Sequence, residues 1–182
     1  MIEVEAKVFL NQEKIKYKNI LKFLEKNYQK ISETQKKDYY FKNILKQKIR
    51  VRETEEKIIV THKNKTLKNK IEVNQESEFE IKDKSAFFKF LKKLNFILFA
   101  QKNKKTYAFK HNNFTIELNY VKNLGWFLEI EKLCSHKKNL NQEFVLLEKE
   151  FEVFGFSKKD FEPKKYLELL KEKNLFRNIA SF

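Results

Sequence analysis

The sequence predicts an α+β fold in which an antiparallel sheet, curled or closed on itself, carries helices on its outer side. Several stretches alternate apolar and charged residues with a period of two. The elements run strand, helix, several strands, helix, several strands and two helices. Most sequential strands are separated only by short turn segments, which favours antiparallel neighbours.

The first strand is Met1 to Phe9. Extended, it sets Glu3, Glu5 and Lys7 on one face and Ile2, Val4, Ala6 and Val8 on the other. Asn11 can cap a helix to Lys26 carrying Ile15, Ile20, Leu21, Phe23 and Leu24. Tyr28 to Phe41 reads as extended, with β-favouring aromatics at Tyr39, Tyr40 and Phe41. Leu45 to Glu53 alternates Ile49 and Val51 against Lys48, Arg50 and Arg52. Lys57 to Lys63 then completes an antiparallel hairpin.

Lys63 to Lys70 reads as a basic loop, followed by a strand over about Ile71 to Ile81 that carries Glu72, Glu76, Glu78 and Glu80 on one face. Asp83 or Ser85 caps a helix with Phe87, Phe88, Phe90, Leu91 and Leu94 as its apolar stripe. Strands over Phe96 to Lys110 and Asn113 to Val121 turn at His111-Asn112-Asn113, and Trp126 to Leu133 follows Gly125. Asn139 or Asn141 caps a helix ending at Gly155, and a last helix runs from about Pro163 to Lys173. Two glycines and one proline leave no flexible linker, so one domain over residues 1–173 with a tail at 174–182 is expected.

A chain of 182 residues with 41% hydrophobic and 15% aromatic content can bury a core despite its charge. Its net charge of +15 implies a polyanionic partner: nucleic acid, an anionic membrane surface or a phosphorylated small molecule. A lone cysteine, Cys134, excludes an internal disulfide and an all-cysteine metal cluster. Met1 leads straight into a charged strand, and the apolar run at residues 96–100 is too short to span a bilayer, so a cytoplasmic protein with no membrane partner is expected. His62, His111 and His136 lack partners at metal-ligand spacing, and neither GxxxxGK[ST] nor GxGxxG is present. Any phosphate must be held by side chains.

The charged strand faces supply them. Carboxylates recur at Glu3/Glu5, Glu76/Glu78/Glu80 and Glu129/Glu131, with Glu117 near Asn119. Cations recur at Lys48/Arg50/Arg52 and Lys102/Lys104. One such face is ordinarily just solvated. As a set they suit the bore of a closed sheet, where carboxylates take a hard divalent cation and Lys or Arg neutralises the remaining charge of a triphosphate.

The order of motifs resembles the CYTH superfamily of triphosphate tunnel metalloenzymes, which includes class IV adenylyl cyclases and thiamine triphosphatases. Glu3-x-Glu5-x-Lys7 resembles ExExK, and Asp38-Tyr39-Tyr40 the D-x-Y/F element. Arg50-Val51-Arg52 resembles R-x-R, Thr61-His62-Lys63 resembles T-x-K, and Glu78-Phe79-Glu80 or Glu76-x-Glu78 resembles E-x-E. Lys102-Asn103-Lys104 resembles K-x-R, and Leu124 to Glu131 (LGWFLEIE) resembles LGxFxEIE.

The resemblance implies a closed antiparallel eight-stranded β-barrel, a triphosphate tunnel, with helices packed outside. It implies Mg2+ or Mn2+ held by Glu3, Glu5, Glu129 and Glu131, with Glu117, Glu78 and Glu80 as further candidates. Lys7, Arg50, Arg52, Lys63, Lys102 and Lys104 become triphosphate binders, and Lys7, Arg50 and Arg52 the catalytic cations. The expected activity is hydrolysis of inorganic, thiamine or nucleoside triphosphate. Class IV-type adenylyl cyclisation and non-catalytic binding of RNA or polyphosphate are the alternatives, in a monomer or homodimer. Three positions depart from the pattern: Asn119 stands where many relatives have aspartate, Lys104 where they have arginine, and Lys165 where they have serine.

Overall fold

The computed structural model describes residues 2–10, 14–134 and 140–173. Eight strands of the described residues close into one antiparallel barrel: β1 (Ile2–Phe9), β2 (Gln29–Lys42), β3 (Lys48–Glu53), β4 (Ile58–Lys68), β5 (Ile71–Ile81), β6 (Ile97–His111), β7 (Phe114–Val121) and β8 (Gly125–Cys134). Around the barrel the order is β1-β5-β4-β3-β2-β6-β7-β8, with β8 returning to β1. Two meanders, β2 to β5 and β6 to β8, are therefore stitched together by β1 on one side and by the β2–β6 pair on the other.

The period-two alternation decides what faces where. On β1, Val4, Ala6 and Val8 are buried outward beneath α1 (Lys14–Asn27) and α3 (Leu140–Glu152), in one cluster with Leu24, Phe109, Ile116, Leu128, Ile130, Leu147 and Phe151. A second cluster packs Tyr39, Phe41, Val51 and Val60 against Leu91 of α2 (Lys84–Lys93). A third sets Val121, Leu124 and Phe127 against Tyr166 and Leu170 of α4 (Tyr166–Glu172). With the apolar sides covered by helices, the charged sides are left to line the bore.

Tight turns in this glycine-poor chain fall to asparagine and lysine. Asn69 (φ 55°), Lys70 (φ 64°), Asn112 (φ 51°) and Asn123 (φ 73°) take left-handed conformations, the region that asparagine tolerates best after glycine. Asn69–Lys70 corrects the sequence reading of Lys63 to Lys70 as a loop. The stretch up to Lys68 is strand, because residues 71–75 of β5 need partners and pair through Asn64↔Gln75 and Lys68↔Ile71.

Asp83, not Ser85, caps α2 by accepting from the Ala86 N–H at 2.9 Å. Asn141 lies inside α3 and is no cap, whereas the proposed caps Asn11 and Asn139 and the tail at 174–182 lie outside the described residues. Pro163 precedes α4 rather than opening it. The chain is still extended there, since Phe161 bridges Val8 and the Glu162 N–H donates to the Lys7 carbonyl at 2.8 Å.

Candidate active site in the barrel bore

The bore holds a cavity of about 820 Å³ walled by alternate residues of every strand group. Pairing of β1 with β8 sets Glu5 opposite Glu131 and Lys7 opposite Glu129, so the first and last strands present their acids side by side. One carboxylate oxygen from each of Glu3, Glu5 and Glu131 lies within 4.8 Å of the other two. Lys63 reaches this group from β4, with Nζ 3.0 Å from Glu3, 3.4 Å from Glu5 and 2.5 Å from Glu76. The Asn74 amide also donates to Glu3, at 3.2 Å.

Crowding of like charges away from water raises the cost of ionising these acids. Burial, reinforced by the neighbouring Glu5, pushes Glu3 up to about 7 despite Lys63. Burial, with Glu117, Glu3 and Glu5 around it, drives Glu131 well above the carboxylate range.

The facing wall is differently balanced. Asp38, wholly buried, accepts from Arg52 Nε at 2.7 Å and Nη2 at 3.0 Å, and pairs with Lys102 at 3.0 Å. These cations overcome its burial and hold it well below the usual carboxylate range. Burial pulls the Lys102 ammonium down to about 8 even with Asp38 beside it. Lys104 pairs with Glu117 at 3.0 Å and with Glu129 at 3.3 Å, and Lys36 pairs with Glu117 at 2.8 Å.

Asn119 is a hydrogen-bond donor here. Its amide N–H groups reach Glu117 at 3.1 Å and Glu129 at 2.5 Å, while its oxygen accepts from Thr106 at 2.7 Å. At the other two departures, Lys104 spans two carboxylates as described, and Lys165 lines the cavity ahead of α4.

The remaining expected residues are placed as follows. Lys7 lines the bore 3.4 Å from Glu72 and 5.6 Å from the Tyr166 ring centroid. Arg50 donates to Thr61 at 3.0 Å and to Glu78 at 3.3 Å. Glu78 is half exposed, and Glu80 is exposed and stands apart from the lining, so the inward pair of β5 is Glu76-x-Glu78.

Three residues that the sequence reading gave no role belong to the wall: Lys36, Asp38 and Glu72. The readable signal was the phase of β2, where Lys36, Asp38 and Tyr40 alternate on one face. Tyr166, set over Lys102 with 4.7 Å from Nζ to the ring centroid, had no such signal, since α4 crosses the bore only in the fold. His62, His111 and the Cys134 thiol stay out of the lining. His111 pairs with Glu150 outside the barrel, Cys134 is buried and its thiol raised, His62 is exposed, and His136 lies outside the described residues.

A CYTH domain model matches residues 1–166. The chain belongs to the CYTH domain family. A protein of Methanocaldococcus jannaschii named "Putative adenylate cyclase MJ0240" is 28% identical to it over 182 residues, covering 93% of this chain and 98% of that protein. The solved structure of the PH1012 protein from Pyrococcus horikoshii superposes with TM-score 0.78 at 29% identity, covering 92% of this chain and 98% of that one. The Mimivirus capping enzyme triphosphatase shares the fold, with TM-score 0.56 at 15% identity, covering 84% of this chain and 90% of that one. Among the described residues no helix is long and apolar enough to cross a membrane.

The CYTH family implies a divalent metal, and the donor set fits one. Glu3, Glu5 and Glu131 offer hard oxygen ligands at converging positions, and the acids whose ionisation is most opposed are those that a cation would relieve.

Proposed function

We propose that the bore binds a triphosphate and, with Mg2+ or Mn2+, hydrolyses it, the substrate being inorganic, thiamine or nucleoside triphosphate. The observation that carries this reading is the convergence of Glu3, Glu5 and Glu131 on a cavity also lined by Lys7, Arg50, Arg52, Lys63, Lys102 and Lys104. Glu3, Glu5 and Glu131 would hold the metal, with Glu129 beside them on β8. A bound metal would neutralise charge on the phosphoryl oxygens and orient the chain.

The protein's own groups do the rest. Asp38 fixes the Arg52 guanidinium through Nε and Nη2, which leaves its other N–H groups free to donate to phosphate oxygens from a preset position. Arg50 is held at one end only, through Nη2 to the Thr61 hydroxyl and to Glu78. Lys7, Lys63, Lys102 and Lys104 neutralise the remaining charge. Water then attacks the terminal phosphorus, the bond from that phosphorus to the bridging oxygen breaks, the diphosphate remnant departs with the electron pair, and the water's proton passes to solvent as orthophosphate forms. Stabilisation of charge on the transferring group by prearranged cations is the dominant contribution in this chemistry.

The second reading is cyclisation, in which the ribose 3'-hydroxyl of ATP attacks the α-phosphorus and pyrophosphate leaves. The name of the M. jannaschii relative favours it. A third, metal-independent binding of RNA or polyphosphate without turnover, draws on the net charge of +15.

One panel separates them: inorganic triphosphate, thiamine triphosphate and ATP, each with Mg2+ or Mn2+, assayed for phosphate, pyrophosphate and cyclic AMP. Phosphate release that EDTA abolishes and that Glu5→Ala lowers by about 10²-fold or more is expected for hydrolysis. No product above the Glu5→Ala background from any of the three would sink the enzymatic reading. A cytoplasmic monomer or homodimer is the setting proposed with it.

A further inference from the structure

The β2–β6 ladder contains an irregularity whose effect is local and chemical. Tyr40 pairs with Ala100 and Phe41 with Leu98, so Phe99 is an extra residue bulged out of register. A bulge re-aims a side chain, and this one brings Phe99 onto the cavity side. There its ring is half-buried, with its centroid 6.4 Å from that of Tyr40. The Tyr40 hydroxyl donates to Asp38 at 3.2 Å, which fixes the second ring.

The pair sits at a rim, since β2 ends at Lys42, β3 begins at Lys48 and β6 begins at Ile97. Ile49, opposite Phe41, adds apolar surface to this part of the lining, and Lys42 and Lys48, opposite one another, add charge. Lys42 Nζ stands 5.3 Å from the Phe99 ring centroid. Elsewhere the lining is mainly charged side chains, with Tyr166 set among them over Lys102.

We propose that Phe99, with the Tyr40 ring tilted by 56° beside it, forms a stacking platform for the base of a nucleoside triphosphate whose phosphates enter the cationic bore. The proposal rests on the triphosphate reading above and narrows its substrate class. Stacking between an aromatic side chain and a base tolerates any base but requires a planar ring. The lysines choose among planar rings: a nucleobase is neutral and offers ring nitrogens and carbonyls as acceptors for ammonium groups, whereas the thiazolium of thiamine is a cation that the same lysines repel. Inorganic triphosphate leaves the platform unused.

The test is calorimetric binding, in Mg2+ buffer, of methylene-bridged, non-cleavable analogues of ATP, thiamine triphosphate and inorganic triphosphate. The ATP analogue is expected to bind wild type most tightly. Phe99→Ala should weaken it by about fivefold to a hundredfold while leaving the inorganic analogue within about twofold, and Phe99→Trp should retain it. An equal loss for the ATP and inorganic analogues, no loss for either, or a Phe99-dependent gain confined to the thiamine analogue overturns the platform. Failure of every analogue to bind wild type overturns the triphosphate reading itself, and the platform with it.

Discussion

The two walls of the bore carry the same chemical group in opposite states. On one, Glu117 receives Lys36, Lys104 and Asn119, and Asp38 receives Arg52 twice and Lys102. Both carboxylates are held well below their usual range. On the other, Glu3, Glu5 and Glu76 share Lys63; Glu76, against its partial burial, is lowered by it and by Arg50, whereas Glu3 and Glu131 are pushed upward. Asp38, Glu117, Glu3 and Glu131 are all heavily enclosed, so burial alone does not distinguish them. The difference lies in how many cations the protein supplies: one lysine is shared by three acids on this wall, whereas Asp38 and Glu117 each receive two cations.

The largest effect that would break this comparison is on stability. Asp38→Ala strips the partner from Arg52 and Lys102 in a closed site, and leaving buried charges unpaired costs about 3–5 kcal/mol. Glu131→Gln removes a carboxylate that its neighbours already oppose, so without metal it should be neutral or stabilising. Urea unfolding of both variants in EDTA measures the contrast. Equal destabilisation by the two would mean that the walls are not differently balanced.

A smaller effect sharpens the contrast through pH. Folded protein keeps a proton on Glu3 up to about 7, while the unfolded chain loses it near 4.5. Between those values the folded state binds more protons, so this group's contribution to stability falls as pH rises. Without metal, the stability of wild type relative to Glu3→Gln should therefore decline across that window and level off above it. Under the proposed function the same proton competes with the metal. Glu131 holds a competing proton as well, so Glu3 is read from the difference between wild type and Glu3→Gln: Mg2+ affinity measured calorimetrically should tighten more steeply with pH in wild type below about 7, by as much as about tenfold per unit for the one extra proton. Identical slopes for the two would remove Glu3 from the metal site.

Much of this was legible in the sequence because alternation is local. Glu3-x-Glu5-x-Lys7 and Arg50-x-Arg52 point into the bore simply because a strand has a period of two, and burying the intervening apolar residues under helices fixes which face is inward. Register across strands was not local, and there the reading was less complete. Whether Glu76 or Glu80 pairs inward with Glu78 depends on where β5 meets β4, and the bulge that turns Phe99 is a mismatch between two strands that neither reveals alone. The basic run to Lys68 looked like a loop by composition, yet its hairpin partner makes it strand. Asn119 looked like a lost acid. Only the fold reveals that its amide bonds both Glu117 and Glu129, making the substitution part of the neutralised wall.

Lys36 offers the finest test of that wall. Its ammonium is one of three donors to Glu117, so Lys36→Met leaves Lys104 and Asn119 in place and should cost less than Asp38→Ala, about 1–2 kcal/mol. If Lys36 acts only by neutralising Glu117, its loss should matter little once that charge is gone. In the cycle of Lys36→Met, Glu117→Gln and the double variant, the coupling read from urea unfolding should then be about 1 kcal/mol and favourable. Coupling near zero would mean that Lys36 contributes through its aliphatic packing, and that Lys104 and Asn119 suffice to keep Glu117 ionised.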